Sequence, residues 1–254
     1  MAIASEIQYA TYSDWKPQDY LTDYYTEILP DERFTLEFLV DSLRKLQPLP
    51  IALDIGCGPI VSHIFPVVPK VQEIHMAEYV ASNRVEVEKW LAAREDAHDW
   101  RAFALETLLL EGTAPTAAQV DAREQQARAC VKAVLPCDVT NTNPLGSDKR
   151  EFYSLVTAHY CAESISSNKE NWYTYMQNIM SLVKPGGVLI LSTCGAGNFY
   201  RVGDYCFPIT KVNGQDLFAC FDANNFNNID LRIRQVPNEQ GFSNVIFVCA
   251  VKGA

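Results

Sequence analysis

The sequence predicts a doubly wound α/β fold built on a mostly parallel sheet. Short apolar runs alternate with segments of helical period along most of the chain, the pattern of repeated strand–helix–strand units. A glycine turn, Asp54-Ile55-Gly56-Cys57-Gly58-Pro59, follows directly on the first apolar run, and folds of this kind bind ligands beyond the strand ends. At 254 residues the chain is long enough for one large domain, and a single domain over 1–254 is expected.

The first 30 residues are dense in aromatic and acidic side chains, among them Tyr9, Tyr12, Trp15, Tyr20, Tyr24 and Tyr25. Leu36, Leu39, Val40, Leu43 and Leu46 recur at helical spacing and predict a helix over 35–46, ended by Gln47-Pro48-Leu49-Pro50. A first strand follows at 51–55 and a second at 71–77. Val85, Trp90 and Leu91 give the apolar face of a helix over 82–94. Residues 96–133 read as a helical insertion, broken at 112–115 by Gly112 and Pro115. Ala133-Val134-Leu135 predicts a third strand and 152–158 a fourth, with a helix over 172–183 behind it. Lys184-Pro185-Gly186-Gly187 is a sharp turn that launches Val188-Leu189-Ile190-Leu191, a fully buried strand by composition. A helix over 213–226 and two closing strands at 229–235 and 244–251 complete the pattern.

Charge and cysteine usage exclude several classes. The formal net charge is −10, with no cluster of Lys and Arg, which argues against a phosphate-backbone partner. The eight cysteines are dispersed without C-x-x-C spacing, and the four histidines do not cluster with them, so no metal site is expected. Met1-Ala2-Ile3-Ala4-Ser5-Glu6 lacks the basic and apolar regions of an export signal, and no apolar run reaches membrane-spanning length. A cytoplasmic protein with free thiols, bound neither to membrane nor to nucleic acid, is expected.

The turn itself narrows the ligand. Gly56 and Gly58 let the backbone pass close to a bound group. A dinucleotide fingerprint needs a third glycine at position 61, and Val61 stands there. No lysine follows at a spacing that would cradle phosphates. A turn opened by Asp54 and lacking the third glycine suits a nucleoside carrying an ammonium group and no pyrophosphate; S-adenosylmethionine is such a ligand. Glu78 ends the second strand 22 positions after Gly56, a spacing suited to a carboxylate accepting both ribose hydroxyls. The alternative for Glu78 is a solvated loop carboxylate. Asp138 follows the third strand, where it can accept an adenine amino group or, alternatively, cap a turn.

Together these residues resemble a class I S-adenosylmethionine-dependent methyltransferase, and other segments narrow the likeness. Pro17-Gln18-Asp19-Tyr20-Leu21-Thr22-Asp23-Tyr24-Tyr25 resembles the P-x-D-Y-L-x-x-Y-Y opening of the family of nicotinamide, phenylethanolamine and indolethylamine N-methyltransferases, with their related thioether S-methyltransferase. Asp54-Ile55-Gly56-x-Gly58-Pro59, Glu88-Lys89-Trp90-Leu91 with Asp99-Trp100, Leu135-x-Cys137-Asp138-Val139-Thr140, Pro144-Leu145-Gly146 and Phe199-Tyr200-x-x-Gly203 are similar to further segments of it. The resemblance implies a Rossmann-like fold with an antiparallel last strand and a helical N-terminal cap over about 1–47. It implies S-adenosylmethionine as cofactor, leaving as S-adenosylhomocysteine. It also implies that Tyr20 and Tyr25 close over the methionine end. Gly56, Cys57 and Gly58 would line the first turn after Asp54, Glu78 with Tyr79 would face the ribose, Asn83 would contact the methionine end, and Asp138 and Val139 would grip the adenine.

On the substrate side, Trp15 and Tyr200 are expected to face the acceptor. The nicotinamide-methylating enzyme of the family has an Asp near Thr193, and its absence here argues against nicotinamide. Glu163, in Cys161-Ala162-Glu163-Ser164, resembles a Glu that receives the substrate ammonium in the arylalkylamine enzymes; the alternative is a helix-start residue. His159 is a candidate proton acceptor, and Glu239 a second amine contact. The expected activity is N-methylation of a small-molecule amine by a monomer. Methylation of sulfur, oxygen or a heteroaromatic nitrogen is the alternative, as is a non-catalytic cofactor-binding protein.

Overall fold

A computed structural model describes residues 8–146, 149–237 and 241–254. Seven strands form one sheet: β1 (Leu49–Ile55), β2 (Val71–Glu78), β3 (Val131–Pro136), β4 (Tyr153–His159), β5 (Val183–Gly195), β8 (Phe226–Gln235) and β9 (Asn244–Lys252), in the order β3-β2-β1-β4-β5-β9-β8. β1 to β5 run parallel, and β9 lies antiparallel between β5 and β8. Structure and sequence agree on the mostly parallel sheet with an antiparallel last strand. The core strands are continuous apolar runs because helices cover both faces, as buried parallel sheets require. The period-2 alternation divides them: Ala52, Ile74, Met76, Leu155 and Ile190 point into one apolar layer. Leu53, Ile55, Ala77, Val156, Leu189 and Leu191 point into the other.

The first layer is closed by α2 (Pro30–Arg44), α3 (Ala81–Leu91), α4 (Arg101–Leu110) and α5 (Ala117–Cys130), which contribute Leu36, Leu39, Val87, Trp90, Phe103 and Val120. The second is closed by α6 (Lys169–Met180) and α7 (Gly214–Ala223) through Trp172, Met176, Ile179, Leu217 and Phe221. α2 begins five residues before the expected start at 35: Pro30 presets the first turn, and Asp31 and Glu32 suit the positive end of the helix dipole. Lys184 to Gly187 lies inside β5 as an irregularity against β4, with Gly186 at φ +72°.

Of two further elements, the first falls within the helical N-terminal cap expected over about 1–47, and the second was not foreseen. α1 (Pro17–Tyr25) starts on a proline and buries Leu21, Tyr24 and Tyr25, an i, i+3, i+4 stripe within nine residues. A separate hairpin, β6 (Phe199–Val202) with β7 (Tyr205–Pro208), turns at Gly203, φ +55°. The two are joined: the Tyr24 hydroxyl donates to the Arg201 carbonyl at 2.8 Å, and the Gly203 N–H donates to Asp23 at 2.7 Å. The Ala10 N–H adds a bond to the Cys206 carbonyl at 2.8 Å. Helix, hairpin and the strand of chain before them form a lid across the carboxyl ends of β1, β2 and β4.

α5 stands apart from those ends. Its capping box pairs the Thr116 N–H with Gln119 Oε1 at 2.8 Å and the Gln119 N–H with Thr116 Oγ1 at 3.4 Å. Thr116→Ala is expected to lower stability by about 1 kcal/mol. Urea or thermal unfolding checks this, and affinity for S-adenosylhomocysteine should stay unchanged.

Candidate cofactor and substrate site

The parallel register sets Ile55, Glu78 and His159 at one end of the sheet, so the loops after them share one space. The turn after β1 is held from below: the N–H groups of Gly56 and Cys57 both donate to the Ala77 carbonyl, at 2.8 and 3.2 Å. Gly56 has φ +68°, and a Cβ there would overlap the Cys161 side chain. Gly58 has φ +62° and aims its N–H at Glu78 Oε2, 3.0 Å away.

Glu78 is the junction of the site. Its Oε1 accepts the Val80 N–H at 2.8 Å and the Asn83 amide at 3.0 Å. The carboxylate is buried, which raises its pKa, while these donors oppose the rise. A carboxylate has about four acceptor positions, so the three donors in place leave room for one hydroxyl rather than two. Asn83 carries the network onward: its Oδ1 accepts the Trp15 indole N–H at 2.8 Å. Trp15 is thereby tied through α3 to the end of β2.

Lid and strand ends enclose a cavity of about 290 Å³. Its lining includes Trp15, Tyr20, Tyr25, Gly56, Cys57, Gly58, Glu78, Asn83, Asp138, Val139, His159 and Tyr200, with Tyr79 at the exposed rim. Its roof is aromatic. Trp15 packs on Tyr20 at 4.9 Å and on Phe207 at 5.4 Å between ring centres, and Tyr20 sits 4.9 Å from Tyr24 and 5.5 Å from Tyr25. Burial holds the Tyr20 and Tyr25 hydroxyls protonated, well above the usual range. No Lys or Arg is among the described lining residues. Carboxylates, aromatic faces and the absence of cations fit a cationic nucleoside such as S-adenosylmethionine, and do not fit a diphosphate.

Other expected residues take different places. Asp54 lies beneath the turn: Oδ1 accepts the Thr157 hydroxyl at 2.9 Å, and Oδ2 is buried without a hydrogen bond from the described residues. Asp138 lines the cavity, but its oxygens accept the Thr140 N–H at 2.9 Å and the Asn141 amide at 2.7 Å, so the turn uses much of its capacity. His159 is buried, with Nδ1 2.8 Å from Ser192 Oγ and Nε2 without a partner among the described residues. Its ring lies 4.3 Å from that of His63, and desolvation with the His63 charge drives its pKa well down, so it is neutral. His63 in turn contacts Glu32 at 3.0 Å, and Glu32 accepts the Ser62 hydroxyl at 2.8 Å.

Glu163 does not line this cavity. It is 2% exposed, its Oε1 accepts the Cys194 N–H at 2.9 Å, and it borders a separate small void with Trp172 and Leu217. The one-turn 3-10 segment Ala162–Ser164 tucks its side chain under β5 instead of aiming it at the ligand space. Glu239 lies outside the described residues. Sequence reasoning missed Tyr12, Asp31, Tyr160, Cys161 and Cys194 as lining residues. Tyr12 carried a signal in the aromatic N-terminus; its hydroxyl donates to the Ser164 carbonyl at 3.1 Å and so anchors the lid.

A profile of the NNMT/PNMT/TEMT family matches residues 4–253. The chain belongs to this family. Nicotinamide N-methyltransferase of Homo sapiens is 29% identical over 202 residues, covering 77% of this chain and 75% of its own. Phenylethanolamine N-methyltransferase of Macaca mulatta is 28% identical over 188 residues, covering 73% and 65%. In fold, 1,6-didemethyltoxoflavin-N1-methyltransferase of Burkholderia thailandensis, solved with S-adenosylhomocysteine, covers 100% of this chain and 98% of its own at a TM-score of 0.56 and 15% identity. A methyltransferase from Methanosarcina mazei covers 83% and 95% at a TM-score of 0.56 and 13% identity. As a member of the family, this protein is an S-adenosylmethionine-dependent methyltransferase. Among the described residues no helix is long and apolar enough to cross a membrane.

The placement of Glu163 in this methyltransferase has a measurable consequence. Burial pushes its carboxyl up to about 7, against an ordinary 4.5. The folded protein therefore holds an extra proton between these values, and stability falls as pH rises through them. Glu163→Gln abolishes this slope. Its thermal midpoint, relative to the parent's, should rise between pH 5 and pH 8; a constant offset would show that Glu163 does not titrate in that window.

Proposed function

We propose that the protein methylates the nitrogen of a small amine. The cavity carries this reading: a space between lid and strand ends, walled by aromatic faces and carboxylates and free of Lys and Arg among its described lining residues. Its relatives' names, nicotinamide and phenylethanolamine N-methyltransferase, support the amine class. When bound, S-adenosylmethionine supplies a methyl group on a sulfonium, which the amine lone pair takes as the sulfur keeps the bonding electrons.

The chain's own residues bind, orient and dry the reactants. Gly56, Cys57 and Gly58 present backbone at the turn, Glu78 accepts a ribose hydroxyl, Asp138 and Val139 face the adenine, and Asn83 fixes Glu78. Tyr20 and Tyr25 turn their aromatic faces to the cationic end. Trp15 and Tyr200 border the acceptor. His159 Nε2, without a partner among the described residues, offers the amine a hydrogen-bond acceptor; its depressed pKa makes it a weak base, so the ammonium proton passes on to solvent and frees the lone pair. The lid excludes water, and holding both reactants in one space supplies much of the acceleration. Glu163 supports β5 through the Cys194 N–H. A net charge of −10 and eight dispersed cysteines support a cytoplasmic monomer acting on small molecules rather than nucleic acid.

Radiolabelled methyl transfer over a panel of small amines tests the activity. S-adenosylhomocysteine should raise the melting temperature where NAD does not, because only a ligand of the native state stabilises it, by about 2.7 kcal/mol at a hundredfold excess over Kd. Stabilisation by NAD alone would refute the reading. Glu78→Gln should weaken S-adenosylhomocysteine about tenfold or more by calorimetry, the worth of a lost charged hydrogen-bond partner.

A further inference from the structure

Three acidic residues are among the described residues that line the cavity, and two are engaged by side chains as well as backbone of their own chain. Glu78 accepts from Gly58, Val80 and Asn83. Asp138 accepts from Thr140 and Asn141. Asp31 differs: among the described residues no side chain donates to its carboxylate. It stands in the first turn of α2, whose own Asp31 and Glu32 N–H groups face it. Its neighbour Glu32 is spent on Ser62 and His63. The Asp31 carbonyl is held too, with the Thr35 hydroxyl donating to it at 2.9 Å and the Tyr160 hydroxyl 3.4 Å away. The residue is thus fixed in place while its acid group stays available.

Its surroundings select a cation. The Asp31 charge is felt by Tyr20, Tyr24, Tyr160 and Cys194, all of which line the same cavity. These bring the lid, the end of β4 and the end of β5 around one carboxylate. Partial burial and the Glu32 charge push its carboxyl up to about 6, so it is mainly ionised at neutral pH and strongly in need of a partner. An ammonium caged by tyrosine faces and one carboxylate meets that need.

We infer that Asp31 receives the ammonium group of the amine substrate. This rests on the N-methyltransferase reading and replaces Glu163 as the anchor. One other ammonium shares the chemistry, that of the cofactor's methionine end, and the experiment separates the two.

Asp31→Asn keeps the shape and a first-turn acceptor while removing the charge; Asp31→Glu restores it. Calorimetry with S-adenosylhomocysteine and with 5′-methylthioadenosine, which lacks the methionine ammonium, reads the cofactor side. Methyl transfer to a panel of primary alkyl- and arylalkylamines, phenylethanolamine included, reads the substrate side. The expected result for Asp31→Asn is a kcat/KM at least tenfold lower for the best amine, with S-adenosylhomocysteine affinity within twofold of the parent and partial rescue by Asp31→Glu. A tenfold loss of S-adenosylhomocysteine affinity with unchanged 5′-methylthioadenosine binding would overturn the substrate assignment in favour of the cofactor. Unchanged kinetics and binding in the folded variant would overturn the inference altogether. A parent that binds S-adenosylhomocysteine yet methylates no amine would instead refute the N-methyltransferase reading.

Discussion

The Glu78 carboxylate is the point on which the site depends. It is one buried acid accepting from three elements: the turn after β1, the start of α3 and, through Asn83, the lid residue Trp15. An unpaired buried carboxylate is strongly unfavourable, and so is an unsatisfied N–H in a glycine turn. Each requirement meets the other. The result is a turn whose conformation is set before any ligand arrives, and preorganisation of this kind lowers the entropy lost on binding.

A second buried cluster lies under the cavity floor. Glu32, Ser62, His63, Asp54, Thr157, His159 and Ser192 come from α2, the turn after β1, and the ends of β1, β4 and β5. Glu32 and His63 are in contact within it; burial lowers the pKa of His63 while Glu32 and Asp54 raise it, and the balance is upward. The same His63 charge pushes His159 the other way. Two histidines 4.3 Å apart thus have their pKa values shifted in opposite directions by their surroundings. A neutral imidazole facing the ligand space follows from that division.

Much of this was legible in the sequence, because the short apolar runs and helical repeats of a buried parallel sheet are local signals. Leu53 to Gly58 and Ile74 to Glu78 announce strand, turn and strand end without help from distant residues. The lid was less legible. α1 is nine residues long and packs by tyrosines, whose helical preference is weak, so its periodicity emerges only against the hairpin. The hairpin strands have four residues each, too few to establish alternation. Side-chain direction was the least legible quantity. Glu163 and Asp31 are both acids near apolar segments, and only the tertiary path turns one beneath β5 and brings the other to the cavity.

The lid's fastenings also set a clock. Ala10 to Cys206, Tyr12 to Ser164, Trp15 to Asn83, Asp23 to Gly203 and Tyr24 to Arg201 are separate hydrogen bonds along one short stretch of chain. Each contributes about 1 kcal/mol net, so parting them together places an open form roughly 5 kcal/mol above the closed one. A ligand large enough to need the lid parted would enter and leave through that sparse open population. The pace of such exchange is then a property of how firmly residues 10–24 are fastened, and sequence drift in the hairpin would retune it without touching a reacting atom.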